Sequence, residues 1–448
     1  MDLYPLGLLD TLRAYREGRG TVQDYVASCS QRIAALEARV QAWEWFDPSR
    51  AMAEAEERAG GILQDLPLFG IPVGVKDIIA TRGIPTRYGT RIFAGNVPTH
   101  SAWIVRRLEA LGGLVMGKTV TTELAYRQPG KTRNPWNTAY SPGGSSSGSA
   151  AAVAAGFVPV AVGTQTLGSV IRPAAFCGVV GYKPSHGAIS RTGIHPFAPA
   201  LDTVGVFARS VADAAWFGAC LMGPDPRDES TVCKGPEKTL HVPLEPLAAP
   251  PRIAIVRTPK WHLASDPQRQ QFDSAIEKLR AAGASIREVN LPKLFDSAWD
   301  NVMVLMAREA VKSFASIESR HRIRLSPHLI EVLDMGHRVT PEQYARAKAR
   351  RDEYREWLDG VFERSDAIAT IPAPGEAPEG IASTGDATFC SLWTQAGMPA
   401  VTLPIGFGPR HLPIGLQIVG RYREDEHALK VASWVESILD FHPGLAGD

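Results

Sequence analysis

Pro142-Gly143-Gly144-Ser145-Ser146-Ser147-Gly148-Ser149 runs without a break into Ala150-Ala151-Ala152-Val153-Ala154-Ala155, and the kind of fold around this junction depends on how it is read. By composition alone, a Gly/Ser run is a flexible linker. Its neighbours argue otherwise. Small apolar residues that begin where the serines end make a helix that packs closely, and a linker between domains rarely leads straight into a buried helix. A glycine-rich turn at a helix N-terminus instead presents backbone N–H groups and hydroxyls, as a site for an anion would. The texture then repeats in Gly163-Thr164-Gln165-Thr166-Leu167-Gly168-Ser169-Val170-Ile171-Arg172-Pro173-Ala174. Here a loop of small residues leaves a strand at Val158–Val162 and delivers a second serine, Ser169, twenty-four positions after Ser145.

Outward from the junction, periodicity alternates between strand and helix. Pro72-Val73-Gly74-Val75-Lys76 reads as a strand ending in a lysine, Ala102–Leu111 as an amphipathic helix and Leu114–Met116 as a buried strand. Upstream, Val22, Val26, Cys29, Ile33, Leu36 and Val40 recur at helical spacing. Downstream come a strand (Arg252–Val256), a helix (Gln268–Ala282), a strand (Ser285–Val289) and two long polar helices (Ser297–Ser319 and Pro341–Arg364). Strand texture returns at Ala367–Ile371 and Ala400–Leu403. The pattern predicts an α/β fold: a single large domain with a mixed β-sheet core flanked by helices and a helical insertion. The expected segments are N-terminal helices (1–65), the core with the candidate catalytic residues (66–230) and a proline-rich connector (231–252). A strand–helix unit with the helical insertion (253–364) and a C-terminal return to the core (365–448) complete the chain.

Bulk properties narrow the function. Of the 448 residues, 44% are hydrophobic, and 48 Lys and Arg stand against 47 Asp and Glu. That balance speaks against nucleic acid or an anionic membrane as a partner. The second long helix carries Arg346, Lys348, Arg350 and Arg351 beside Asp352 and Glu353, which reads as a solvated face. The five cysteines are scattered, without a Cys-x-x-Cys pair, and His186/His195 and His321/His328 lack metal-ligand spacing. Neither a disulfide framework nor a metal is implied. The N-terminus does not read as a signal peptide and no apolar run is long enough to span a bilayer. The expectation is a cytoplasmic enzyme, monomeric or homodimeric, with a small-molecule substrate and no cofactor.

Gly-Gly-Ser-Ser-x-Gly-Ser followed at this spacing by Gly-Ser-x-x-x-Pro-Ala resembles the amidase signature family. Gly70-Ile71-Pro72-Val73-Gly74-Val75-Lys76-Asp77, Leu201-Asp202-Thr203-Val204-Gly205, Ala208-Arg209-Ser210-Val211-Ala212-Asp213 and Pro413-Ile414-Gly415-Leu416-Gln417-Ile418-Val419-Gly420 extend the similarity over about residues 65–435. The resemblance implies a nucleophile at Ser169, a bridging serine held by a cis peptide bond at Ser145, and a base at Lys76. It also implies an oxyanion hole from the N–H groups of Thr166, Leu167, Gly168 and Ser169. The chemistry is coherent on its own terms. A serine hydroxyl attacks well only when a base takes its proton, and a lysine serves as that base only if burial keeps it neutral. Tyr126, Gly144 and Leu167 are the candidate substrate contacts, with Tyr126 equally readable as a core aromatic. The implied reaction is hydrolysis of an amide, anilide or carbamate through an acyl-enzyme.

Several positions depart from the family pattern. Gln165 stands where an acid is usual, Leu167 where a glycine is usual, and Ile171 where an arginine is usual, with Arg172 one step later. Ala200 and Thr394 replace a usual serine and asparagine. Loss of the acid and the arginine together suggests an internal ion pair replaced by neutral groups, and Leu167 would narrow the acyl side of the pocket. Other readings remain. Gly144-Ser145-Ser146-Ser147-Gly148 fits G-x-S-x-G and would nominate Ser146, but no strand precedes it. Gly112–Thr119 fits a phosphate-loop pattern ending in Lys118, but its middle is a strand. A Ser-His-Asp triad, a glutamine-hydrolysing subunit of a tRNA-dependent amidotransferase, a nucleotide-binding P-loop module and a catalytically inactive scaffold are the alternatives in function. Asp77 reads either as electrostatic support for Lys76 or as half of a salt bridge.

Overall fold

Short β-branched runs cut by glycine and proline become the strands of one mixed sheet in the computed structural model, which describes residues 2–59, 65–231 and 240–447. The strands are β1 (Trp43–Phe46), β2 (Pro72–Lys76), β3 (Leu114–Thr119), β4 (Val160–Gln165), β5 (Val180–Lys183), β6 (Thr203–Ala208), β7 (Arg252–Val256), β8 (Ser285–Val289), β9 (Ala367–Thr370), β10 (Ala400–Phe407) and β11 (Pro413–Val419). Their order across the sheet is β1-β3-β2-β4-β6-β5-β10-β11-β9-β7-β8. The mixed-sheet expectation holds, with helices against the sheet. Of the expected connector, residues 232–239 lie outside the described residues.

Parallel pairing at the centre sets the site. β2 runs parallel to both β3 and β4, with Val75 opposite Val162. Lys76 at the end of β2 and the loop after β4 therefore leave the sheet at the same edge, where ligands bind in open parallel sheets. All residues of β2, β3 and β4 are buried, which explains why they read as continuous apolar runs instead of alternating ones.

The Gly/Ser run is no linker. Every residue from Ser141 to Ala150 is buried, and the helix begins at Ser147 and ends at Ala154. Close packing dictates its small residues. A Cβ on Gly148 would stand 2.2 Å from the Ala42 carbonyl oxygen and 2.4 Å from the Val120 nitrogen. The expectation of an anion at this helix N-terminus is not met in the described structure. The Gly148 N–H donates to the Val120 carbonyl at 3.0 Å, and the Ser149 hydroxyl donates to the Val162 carbonyl at 3.0 Å. The sequence places donors here, and the backbone of β3 and β4 supplies their acceptors.

The insertion contains three helices instead of the expected two: Ala298–His321, Pro327–Arg338 and Pro341–Phe362. The middle one is short, but it carries ordinary start signals. Ser326 caps it, accepting from the Leu329 N–H at 3.3 Å, and Pro327 occupies its first turn. Val302, Leu305, Met306, Phe314, Leu329 and Leu333 join Leu167, Phe197 and Leu201 in one apolar cluster, so the insertion packs onto the loops that carry the candidate site. Two carboxylates tie it down: Glu123 accepts from the Ser326 N–H at 3.1 Å and Glu309 from the Ala200 N–H at 2.8 Å. No helix of the described residues is long and apolar enough to cross a membrane.

Candidate active site

Lys76, Ser145 and the loop carrying Ser169 come together at the edge set by β2 and β4. Lys76 Nζ lies 2.7 Å from Ser145 Oγ and 2.9 Å from Thr164 Oγ1. The Thr164 contact follows from the parallel register, which puts the end of β4 beside the end of β2. The Gly144–Ser145 peptide is cis. Ser146 N–H donates to the Ser169 carbonyl at 3.4 Å, stitching the two serine loops together. Lys76 and Ser145 are buried, and Ser169, 7% exposed, opens onto a cleft of about 420 Å³.

Burial pushes the Lys76 ammonium well below its ordinary value, and the charge of Asp202 pulls weakly the other way. Burial thus favours the neutral amine over the ammonium. Asp202 is itself held by Thr166 Oγ1, which donates at 2.6 Å, and by the Phe197 and Ala198 N–H groups at 2.8 and 2.9 Å. Sequence reasoning assigns no role to Asp202 or to Thr164. Thr164 becomes recognisable as a site residue only once β2 and β4 are paired, and Asp202 only once β4 is paired with β6.

The loop after β4 is built to leave donors unused. The N–H groups of Thr166, Leu167, Gly168 and Ser169 find no acceptor among the described residues. The next two do: Gln165 Oε1 accepts from Val170 N–H at 2.8 Å and from Ile171 N–H at 3.0 Å. A run of unsatisfied N–H groups beside a serine can receive an oxyanion, where each well-placed donor contributes about 3–4 kcal/mol. Tyr126, Thr166, Leu167 and Ser169 line the cleft, whereas Gly144 and Gly168 are buried behind it. Tyr126 is both a cleft residue and part of an aromatic wall, stacked on Phe197 at 5.2 Å.

The competing motifs are absorbed by structure. Ser146 is buried, with its hydroxyl bonded to the Thr164 backbone on both sides at 3.2 Å, and no strand precedes it. Lys118 sits inside β3, buried, 3.1 Å from Asp77 and 2.6 Å from Thr86 Oγ1. Asp77 is thus half of a buried ion pair, and the phosphate-loop lysine is its other half.

The profile of the amidase family matches residues 24–429. The chain belongs to the amidase family. It is accordingly a hydrolase of C–N bonds. It is 35% identical to a glutamyl-tRNA(Gln) amidotransferase subunit of Synechococcus sp. (strain CC9311), over 91% of this chain and 92% of that one. The corresponding subunit of Roseiflexus sp. (strain RS-1) is 33% identical over 98% of both chains. Among solved structures, the peptide amidase of Stenotrophomonas maltophilia superposes with a TM-score of 0.84 and 28% identity, covering 99% of this amidase and 100% of that chain.

Around the serine the amidase keeps its neutral replacements in contact with each other. Gln165 Nε2 donates to Thr394 Oγ1 at 2.8 Å, and Thr394 Oγ1 donates to the Leu167 carbonyl at 2.8 Å. Ile171 is fully buried in a cluster with Trp393, Cys390 and Leu392. The guanidinium reappears at Arg172, whose Nη2 donates to the Gly144 carbonyl at 2.6 Å.

Proposed function

We propose that this amidase hydrolyses amide-type bonds of small molecules through an acyl-enzyme on Ser169. Ser145 accepts the Ser169 proton as it passes its own to neutral Lys76. Ser169 Oγ bonds to the carbonyl carbon, and the oxyanion is received by the N–H groups of residues 166–169. The relay returns the proton to the leaving nitrogen as the C–N bond breaks. Water, deprotonated by the same relay, then releases the acid. The observation that carries this reading is the buried Lys76 amine 2.7 Å from Ser145 Oγ, its ammonium form disfavoured by burial. Anilides and carbamates offer the same planar carbonyl on nitrogen and fall within the proposed chemistry.

The cleft supports an acyl group with apolar surface. Leu167, Phe197, Trp299 and Met306 are among the residues that line it. The relatives that are amidotransferase subunits favour a second reading, in which the amide is glutamine and a partner subunit takes the ammonia. Mass spectrometry after treatment with a fluorophosphonate tests the mechanism. The adduct is expected on Ser169 and is expected to vanish in Lys76→Ala; an adduct on Ser146 with Ser169 untouched would refute it. A panel of anilides, alkyl amides, carbamates and glutamine separates the two substrates.

A further inference from the structure

Arg172 is a buried cation held by the backbone of two loops. Its residue is 6% exposed, and burial lowers its guanidinium to about 10, so it stays charged at neutral pH. Nη2 donates to the Gly144 carbonyl at 2.6 Å and to Thr384 Oγ1 at 3.4 Å, and Nη1 donates to the Gly385 carbonyl at 2.5 Å. Nε is buried without an acceptor, which closes the edge that a ligand could fork onto. Among the described residues Arg172 joins no salt bridge. Burying a charge is costly unless it finds strong partners, so these three acceptors decide where the guanidinium sits.

The acceptors belong to two segments that meet at the site. The Gly144 carbonyl is part of the peptide that enters Ser145, and on the far side the Ser145 carbonyl accepts from the Thr122 N–H at 3.2 Å. Between these two anchors Ser145 Oγ lies 2.7 Å from Lys76 Nζ. Gly385 comes from the cleft rim, 382–387, and lies 213 positions along the chain from Arg172. The rim packs directly on the serine loop. A Cβ on Gly144 would stand 2.8 Å from Thr384 Cγ2, and Gly385, at φ +79°, has Phe176 Cε2 2.6 Å from where its Cβ would be. No side chain fits between the loops, and the planar guanidinium bridges them with donors that diverge in one plane. A lysine, a single point charge, cannot span those acceptors in the same way.

We propose that Arg172 is a positioning residue for the proton relay: it fixes the peptide that enters Ser145, and so the reach of Ser145 Oγ to Lys76, and it locks the cleft rim to that peptide. This deepens the reading of Lys76, Ser145 and Ser169 as the relay and rests on it. The side-chain hydrogen bonds of Arg172 go to none of the three relay side chains, so its effect passes through the Gly144 carbonyl. Charge-assisted bonds of this kind are about twice as strong as neutral ones. Releasing them lets the serine loop shift, and a displacement of about 1 Å at a reacting group costs about 100-fold in rate.

The test is a double-mutant cycle on a neutral acyl p-nitroanilide, which offers Arg172 no charge to bind. Arg172→Gln alone is expected to lower kcat by about 30–100-fold, with KM within about 3-fold of the wild type. In Ser145→Ala, where no bridging hydroxyl is left to position, the same substitution is expected to change kcat by no more than about 3-fold. Arg172→Lys, which keeps the charge and loses the fork, is expected to fall between wild type and Arg172→Gln. Methylguanidinium added to Arg172→Ala is expected to raise kcat by at least about ten-fold, with no effect on the wild type. No loss in Arg172→Gln, an equal loss in both backgrounds, or a loss confined to KM would overturn the proposal. If the Ser145→Ala proteins turn over too slowly to compare, the rate at which a fluorophosphonate labels Ser169 supplies the same cycle. If Arg172→Gln does not fold, Arg172→Lys runs it instead. Undiminished turnover in Ser145→Ala, or labelling of Ser146 with Ser169 untouched, would refute the relay itself, whereas additive losses with the relay intact would refute only the role of Arg172.

Discussion

Gln165 and Thr394 are hydrogen-bonded at 2.8 Å, and through Thr394 the strand end holds the Leu167 carbonyl at the same distance. Both residues depart from the family pattern, and they depart together. The glutamine also caps the following helix by accepting from Val170 and Ile171. One side chain thus grips both ends of the loop whose N–H groups are left without acceptors among the described residues. Thr394→Val keeps the shape and removes the hydroxyl, leaving a buried amide N–H and a buried carbonyl without partners at about 1–3 kcal/mol each. The expected result is a drop in kcat of roughly ten-fold or more with KM little changed, restored in Thr394→Ser. Equal activity in the valine variant would sever the link between this pair and the oxyanion loop.

In the proposed relay neutral Lys76 is the reactive form, so protonation is expected to switch the amidase off. Because burial lowers the lysine well below its ordinary value, kcat/KM is expected to rise with pH only up to that lowered pKa and then level. A surface-like lysine would keep the rate climbing to about 10. Asp202 favours the ammonium, and removing its charge in Asp202→Asn should move the acid limb to lower pH. Lys76→Ala is expected to cost roughly 10²–10⁴-fold in kcat, the usual contribution of a general base. A pH profile in Asp202→Asn unchanged from the wild type would show that the carboxylate does not act on the lysine.

Much of this is legible in the sequence, because it depends on local patterning. β2, β7 and β8 fall where the sequence puts them, at Pro72–Lys76, Arg252–Val256 and Ser285–Val289, since β-branched runs between breakers have few alternatives. Motif and spacing favour Ser145 over Ser146. What stays hidden are relations made only by tertiary pairing. Thr164 reaches Lys76 because β2 and β4 are parallel and in register, and Asp77 meets Lys118 because β2 also pairs with β3. The helix Pro327–Arg338 is masked in the sequence by the two longer helices around it, although its Ser-Pro start is a standard signal. By sequence Arg172 looks like a displaced copy of a lost arginine, and only the structure shows that Ile171 joins a core cluster while Arg172 lines the cleft.

Leu167 stands where a glycine is usual and packs with Phe197 and Met306 along the cleft. Leu167→Ala should enlarge the acyl side of the pocket. Each methylene of fit in such a site changes discrimination by about 10–200-fold, so kcat/KM for bulky acyl amides relative to acetamide is expected to rise by at least about ten-fold. Truncating a buried leucine also costs about 2–5 kcal/mol, and the lower end applies because one side of Leu167 already faces the cleft. An unchanged acyl preference alongside the stability loss would show that the leucine is only a packing residue.

Far from the cleft, Glu436 gives the amidase a pH-dependent stability. Its carboxylate accepts from the Val211 N–H at 3.0 and 3.2 Å, at the start of the helix Val211–Leu221, in a crevice it shares with Asp213, Asp10, Arg209 and His442. Burial first, then the charge of Asp213, raise it to about 7. For an acid raised on folding, the folded chain holds its proton more tightly than the unfolded one. The stabilisation is complete below the ordinary carboxylate value of 4.5 and is lost as pH rises through about 7. A shift of this size corresponds to about 3 kcal/mol. Glu436→Gln keeps an oxygen for Val211 and removes the titration. It is therefore expected to match the wild type near pH 4.5 and to exceed it in urea-unfolding stability above pH 7, by up to that amount. Activity should be unchanged, since Glu436 does not line the cleft. Parallel stability profiles for the two proteins across that range would mean that the carboxylate is already ionised in the folded chain and compensated by Arg209.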